Sequence, residues 1–180
     1  PENDFLRVVR EDPTRRGLLY AGTEHGVYVS FNDGAAWQPL QLNLPDTPVH
    51  GIVVEERDLV IGTHGRGFYV LDNIGVLRQA TPGITSAVLH VFDTFTPLRG
   101  RDRNVTIDYY LGKAAEDVKI EFLDGSGAVQ RTFTGTPKDD PNAGLPPGMD
   151  PETAAFFGLR PVRVGIAQGM NRFTWDMRYE

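Results

Sequence analysis

Leu18-Leu19-Tyr20-Ala21-Gly22-Thr23-Glu24-His25-Gly26-Val27-Tyr28-Val29 returns further along the chain as Leu59-Val60-Ile61-Gly62-Thr63-His64-Gly65-Arg66-Gly67-Phe68-Tyr69-Val70. Each copy holds an apolar segment, a Gly-Thr pair, a short glycine-bearing turn and an aromatic segment that ends in Tyr-Val. Tyr28 and its counterpart Tyr69 stand 41 residues apart. Apolar runs of this length, bounded by turn residues, predict two β-hairpins rather than helices.

A period of about 40–45 residues built from short strands is the mark of β-propeller blades. The surrounding sequence extends each hairpin. Phe5–Arg10 reads as a first strand, Asp12–Gly17 as a turn cluster, Leu18–Gly22 and Val27–Phe31 as the hairpin, and Trp37–Leu40 as a fourth strand. The second unit repeats the order with Gly51–Glu55, Leu59–Gly62 and Gly67–Leu71, and Val76–Gln79 is expected as its fourth strand. Rings of blades need about four to eight units, so two blades predict the C-terminal part of a longer propeller. The expected domains are 1–80, the last blades; 81–103, a linker with a docking strand at Ala87–Phe92 and a break at Thr96–Arg103; and 104–180, a truncated β-sandwich of immunoglobulin-like type. In that last part Val105–Leu111 alternates, and Val118–Leu123 and Val129–Thr134 flank the hairpin turn Asp124-Gly125-Ser126-Gly127. Gly135–Pro151 is rich in proline and reads as a loop, with a helical turn at Glu152–Phe157. Phe173, Trp175, Met177 and Tyr179 fall on one face of the last strand. The fold class is therefore all-β: a partial propeller followed by a sandwich.

Composition narrows the function. The chain has 180 residues, a net charge of −6, and no Cys. An acidic chain without a basic face is a poor partner for nucleic acid. Zero Cys excludes disulfides and thiolate chemistry. No apolar run approaches the roughly 20 residues that span a bilayer. The His spacing fits no zinc pattern, and neither a metal nor a cofactor is expected.

Two turns carry the candidate residues. The first is Ser30-Phe31-Asn32-Asp33-Gly34-Ala35-Ala36-Trp37, between the third and fourth strands. Asn32 keeps an acceptor oxygen suited to imitating a backbone turn, and Ser30, Asn32, Gly34 and Trp37 are expected to act structurally, with Trp37 buried between strands. The second is Gly62-Thr63-His64-Gly65-Arg66-Gly67, whose equivalent one unit earlier is Thr23-Glu24-His25-Gly26. Both lie between second and third strands, at the end of the sheet opposite the Asn32 turn. Glu24, His25, His64 and Arg66 are thus the candidate ligand-binding set. Two roles fit Arg66: a guanidinium for an anionic ligand, or a structural tie to a neighbouring blade or the C-terminal domain, which is favoured. The glycines give only a weak match to a phosphate loop, since no Lys-Ser/Thr follows and no helix opens.

No catalytic set can be drawn. Glu55-Glu56, Asp58, Glu116-Asp117 and Asp139-Asp140 are adjacent acids near turns, and adjacency does not place two carboxylates across a glycosidic bond. His25, His50, His64 and His90 have no Gly-x-Ser-x-Gly partner. Asn104-Val105-Thr106 matches a glycosylation sequon, relevant only in a eukaryotic secretory host.

The Ser30–Trp37 turn resembles the Asp box, or BNR motif, Ser-x-Asp-x-Gly-x-Thr-Trp, with Asn32 for the Asp and Ala36 for the Thr. Together with Gly62–Asp72 and the ending Gly169–Tyr179, it looks like the large exported bacterial BNR-repeat proteins, often labelled sortilin-like or glycosyl-hydrolase-like. The resemblance implies a secreted or periplasmic protein with a large N-terminal propeller and an Ig-like C-terminal domain. Its partners would be the remaining blades of the full-length protein and a peptide or carbohydrate ligand. The expected function is a non-catalytic interaction scaffold. The alternative is an exo-acting glycoside hydrolase of sialidase-like type, whose catalytic residues would lie mainly in absent blades; the arginine cluster, nucleophilic Tyr and acid of such enzymes do not map onto this sequence.

Overall fold

The computed structural model describes residues 4–95, 104–138, 145–146, 148–156, 162–175 and 177. The chain is all-β, built of several small antiparallel sheets, and it divides into two compact units, Pro1–Gln79 and Ala80–Glu180. No described helix is long and apolar enough to cross a membrane. The expected break at Thr96–Arg103, the acids Asp139-Asp140, much of the 135–151 loop, Phe157 and Tyr179 lie outside the described residues.

In the first unit, β1 (Leu6–Glu11), β2 (Leu19–Thr23), β3 (Val27–Ser30) and β4 (Gln38–Pro39) form a four-stranded sheet in sequence order. β5 (Val49–Val54), β6 (Leu59–Thr63) and β7 (Phe68–Leu71) form a three-stranded one. The sheets repeat each other in register. β1 pairs β2 with a bulge between Leu6 and Val8, and β5 pairs β6 with a bulge between Val49 and Gly51. Leu6 opposes Thr23 as Val49 opposes Thr63, and Val8 opposes Gly22 as Gly51 opposes Gly62.

Strand alternation gives each sheet two faces. The face of the first sheet bearing Val8, Tyr20, Val27 and Val29, its front, shares one core with the face of the second bearing Ile52, Leu59, Ile61 and Tyr69, its back. Burying side chains of this size contributes about 1.5–3 kcal/mol each relative to exposure. Gly22 permits the close approach. A Cβ there would fall 2.7 Å from the Cγ1 of Val49 and 2.8 Å from that of Val8.

The expected fourth strand of the second unit is instead a helix, α1 (Gly75–Gln79). Arg78 explains what the helix does. Its guanidinium meets the buried Asp12 carboxylate at 2.8 Å and donates to the carbonyls of Glu55 and Glu56. Arg15 donates to the carbonyls of Leu77 and Arg78. The turn after β1 is thereby tied to the end of the second sheet. Burial alone would push the Asp12 carboxyl up, but hydrogen bonds from Thr14, Arg78 and Arg15 outweigh it and hold it below its ordinary value.

In the second unit, β8 (Leu89–Val91), β9 (Val105–Leu111) and β12 (Gly169–Trp175) make a sheet in the order β12-β9-β8. The expected docking strand is thus β8, and it docks on β9. β10 (Val118–Leu123) and β11 (Val129–Gly135) form a separate hairpin. The Asp124 carboxylate closes its turn by accepting from the backbone of Ser126 and Ala128, while Gly127 takes φ 86°. Phe122 and Phe133 of the hairpin meet Trp175 and Phe173 of β12 with ring centroids 4.4 and 4.8 Å apart. Trp175 and Phe173 are buried, and Met177 packs on the same cluster. The turn expected at Glu152 is α2 (Pro151–Phe156).

Candidate functional site

The first turn is a polar knot. Buried Ser30 donates from Oγ to the Asn32 Oδ1 at 3.0 Å and accepts from the Gly34 N–H at 2.9 Å. The same Asn32 oxygen accepts from the Ala36 N–H at 2.8 Å. Asp33 sits at φ 58°, and Gly34 at φ 84°. Trp37 departs from the expectation of burial, for it is 38% exposed. Its ring lies over Gly34, where a Cβ would fall 3.7 Å from Cζ2. β4 supplies only Gln38 and Pro39, both exposed.

The β2–β3 turn, at the opposite end of the sheet, opens onto a cleft. Thr23 closes the turn through its N–H and its hydroxyl, both donated to the Gly26 carbonyl. Gly26 takes φ 144°, and a Cβ there would collide with the Gln41 side chain. Gln41 uses the space to donate from Nε2 to the carbonyls of His25, Leu44 and Pro45, which pins the connector between the two sheets beside the turn. Glu24, His25, Arg7, Asp46 and Thr47 line the resulting cleft of about 540 Å³, with Phe5 and Pro48 as apolar walls.

Two pairs of charged side chains line the cleft. Arg7, re-aimed by the bulge in β1, forms an ion pair with Glu24. His25 Nδ1 lies 2.9 Å from Asp46 Oδ1. The hydrogen bond to Asp46, and then its charge, push the His25 imidazole above its ordinary pKa. Thr47 is buried, and its hydroxyl has no partner among the described residues.

The candidate set therefore divides. Glu24 and His25 line the cleft. His64 does not, although its N–H braces one wall by donating to the Pro48 carbonyl at 2.9 Å, and its ring lies 5.2 Å from that of His50. Arg66 stands apart. It is exposed, Gly65 and Gly67 beside it have open space at their Cβ positions, and it has no ion-pair partner among the described residues. The turn that carries it is one residue longer than the β2–β3 turn. The sequence reading missed Arg7, Asp46 and Thr47. Asp46-Thr47-Pro48 read as linker, and only pairing across 21 residues brings Asp46 to His25. No set of three His, Asp or Glu side chains among the described residues could hold a metal ion. No family model matches the chain, and no curated protein or solved structure is significantly similar to it.

Proposed function

We propose that the chain is an exported, non-catalytic interaction scaffold, with two propeller-type blades in the first unit and an immunoglobulin-like sandwich in the second. The blade reading is supported by the repeated bulge, Gly-Thr pair and hairpin register. The single observation that carries the function is the cleft at the β2–β3 turn. Its charged side chains face opposite partners, Arg7 with Glu24 and, when His25 is protonated, His25 with Asp46, an arrangement that suits recognition of uncharged or zwitterionic groups by hydrogen bonding. A peptide or a carbohydrate fits this chemistry: carboxylates and Arg7 pair with amides or hydroxyls, and Phe5 offers an apolar wall.

The test is a titration of the chain with unbranched oligosaccharides and with short peptides, followed by backbone amide shifts. Shifts gathered at Arg7, Glu24, His25 and Thr47, and abolished by His25→Ala, support the reading. Shifts confined to other surfaces sink it. The hydrolase alternative has one observation in its favour, since Glu24 and Asp46 line the same cleft. Release of 4-nitrophenol from aryl glycosides, lost in Glu24→Gln, would decide for it.

A further inference from the structure

The repeat sets the same two positions against each other in both sheets of the first unit. In the first sheet, Arg7 is the extra residue of the β1 bulge, and Glu24 follows the Thr23 that ends β2; the two form an ion pair. In the second sheet, His50 is the extra residue of the β5 bulge, and His64 follows the Thr63 that ends β6. Their rings face each other in turn, with centroids 5.2 Å apart and planes inclined by 34°. The backbone fixes both residues. Val49 pairs with Thr63 on one side of His50, and Gly51 pairs with Gly62 on the other. The His64 N–H donates to the Pro48 carbonyl at 2.9 Å.

The two pairs differ in chemistry. Arg7 and Glu24 attract each other directly, whereas two imidazoles both offer an electron pair when neutral and repel each other when protonated. Both histidines are exposed, and neither ring is hydrogen-bonded or ion-paired among the described residues. A ring nitrogen of each is thus open to a shared electron-pair acceptor, and neutral imidazole is the commonest protein ligand for zinc, copper and nickel. The spacing suits such an ion. Two imidazoles on one tetrahedral zinc, with Zn–N bonds of about 2.0–2.1 Å, have ring centroids about 5 Å apart. We propose that His50 and His64 bind a divalent transition-metal ion between them, with water filling its remaining positions. The ion ties the β5 bulge to the β6–β7 turn, as the Arg7–Glu24 pair ties the β1 bulge to the β2–β3 turn. The spacing of the two histidines along the chain fits no zinc motif because the pair forms across a strand ladder. Access to it does not depend on what covers the face of the sheet. In the first sheet the front is covered, and the Arg7 side chain at the equivalent place is still 47% exposed. Neither imidazole lines the β2–β3 cleft, so the inference is independent of the ligand proposed there.

Zinc chloride titrated into the whole chain tests it, at a pH above the ordinary histidine pKa of about 6.5, with NMR of the imidazole protons as the readout. The His50 and His64 signals should shift together and saturate at one ion per chain. His50→Ala and His64→Ala should each weaken binding at least about tenfold, the least that even an outer-shell change costs a metal site. Both residues are exposed, so circular dichroism should show the variants folded; His64→Gln keeps the side chain's bulk should alanine disturb the turn. Zinc should also raise the melting temperature of the wild-type chain, since it binds the folded state. The double variant His50→Arg with His64→Glu rebuilds the first sheet's ion pair, and its melting temperature should not respond to zinc. A dissociation constant weaker than about 1 mM, a level that leaves only about 4 kcal/mol of binding free energy, overturns the proposal. So do shifts that gather at His25 or His90, or zinc binding that either single variant leaves at its wild-type strength.

Discussion

The two sheets of the first unit begin alike and end differently. Each has a bulged first strand, a Gly-Thr pair at the close of the second and a Thr hydroxyl clipped to a glycine carbonyl across the turn. They part after the third strand. In the first sheet Ser30 ends β3, and its hydroxyl gathers the turn that reverses the chain into β4. In the second, Leu71 stands at that position. Asn73, at φ 60°, still makes a left-handed step like that of Asp33, but the segment is held from outside. Asp58 accepts from the Asn73 N–H, Arg57 from the Ile74 N–H, and Ile74 is fully buried. The chain then enters α1, not a fourth strand. The repeat thus specifies the three-stranded core of each unit, and the residue that ends the third strand decides how the chain leaves it.

The largest test of this comparison is Asp12→Ala. The Asp12–Arg78 pair joins the first sheet's turn to the helix that replaces the second sheet's fourth strand. Removing the carboxylate leaves a largely buried guanidinium unpaired, and the expected loss is about 3–5 kcal/mol in urea unfolding. A loss below about 1 kcal/mol, the range of surface pairs, would mean that the helix is held by packing alone. The same pair predicts acid sensitivity. The folded-state pKa of Asp12 is lowered, so its contribution is complete above the ordinary carboxylate range. It is lost as pH falls from about 4 through the folded value. Asp12→Asn should flatten that part of the stability profile.

A second test sets two equivalent glycines against each other. Gly22→Ala forces a methyl into Val49 and Val8 and should cost about 1–3 kcal/mol by overpacking. Gly62→Ala meets only ordinary contacts and should change thermal stability by no more than about 0.5 kcal/mol. Equal effects would show that the two faces are not in different states of burial.

Much of this was legible in the sequence, and the failures have physical causes. The hairpins, the Asp124 turn and the burial of Trp175 follow from alternation and turn chemistry, which are local. The helix at Gly75–Gln79 is not legible locally because Val76 and Leu77 are apolar in either state, and the deciding contact joins Arg78 to Asp12, 66 residues away. Turn chemistry alone places Trp37 in the core because an indole after such a turn is usually covered; here it stands beside a two-residue β4 and is 38% exposed. Glu24 and His25 were found through the repeat, but Arg7 and Asp46 come from a bulge and a connector that the repeat does not mark.

A third test bears on the exit turn of the first sheet. Ser30→Ala removes a buried hydroxyl that accepts from Gly34 and donates to Asn32, and should cost about 1–2 kcal/mol, the usual range for a buried hydrogen-bonded group. Trp37→Ala should cost less than the roughly 3–5 kcal/mol of a core aromatic, since the residue is already partly exposed to solvent. A full core-sized loss would mean that the ring is covered in solution.

The smallest effect separates the two Thr-to-Gly turns themselves. His25 lies beside Asp46, whereas the exposed His64 is stacked near His50 and only its backbone braces the cleft. The Asp46 carboxylate stabilises protonated His25 and raises its pKa. A raised histidine pKa places the interaction fully on below about pH 6.5 and off as pH climbs through the folded value. NMR titration of the imidazole protons should therefore find His25 above the ordinary histidine value, and Asp46→Asn should return it there. Both side chains are exposed, so the melting temperature should barely move, and salt should narrow the shift by screening. If His25 titrates at its ordinary value with Asp46 intact, the pair does not persist in solution, and the cleft then holds an unpaired carboxylate at the connector. Ligand selectivity would change with it: an exposed Asp46 favours cationic groups, while the pair with protonated His25 offsets that charge and suits hydroxyls and amides.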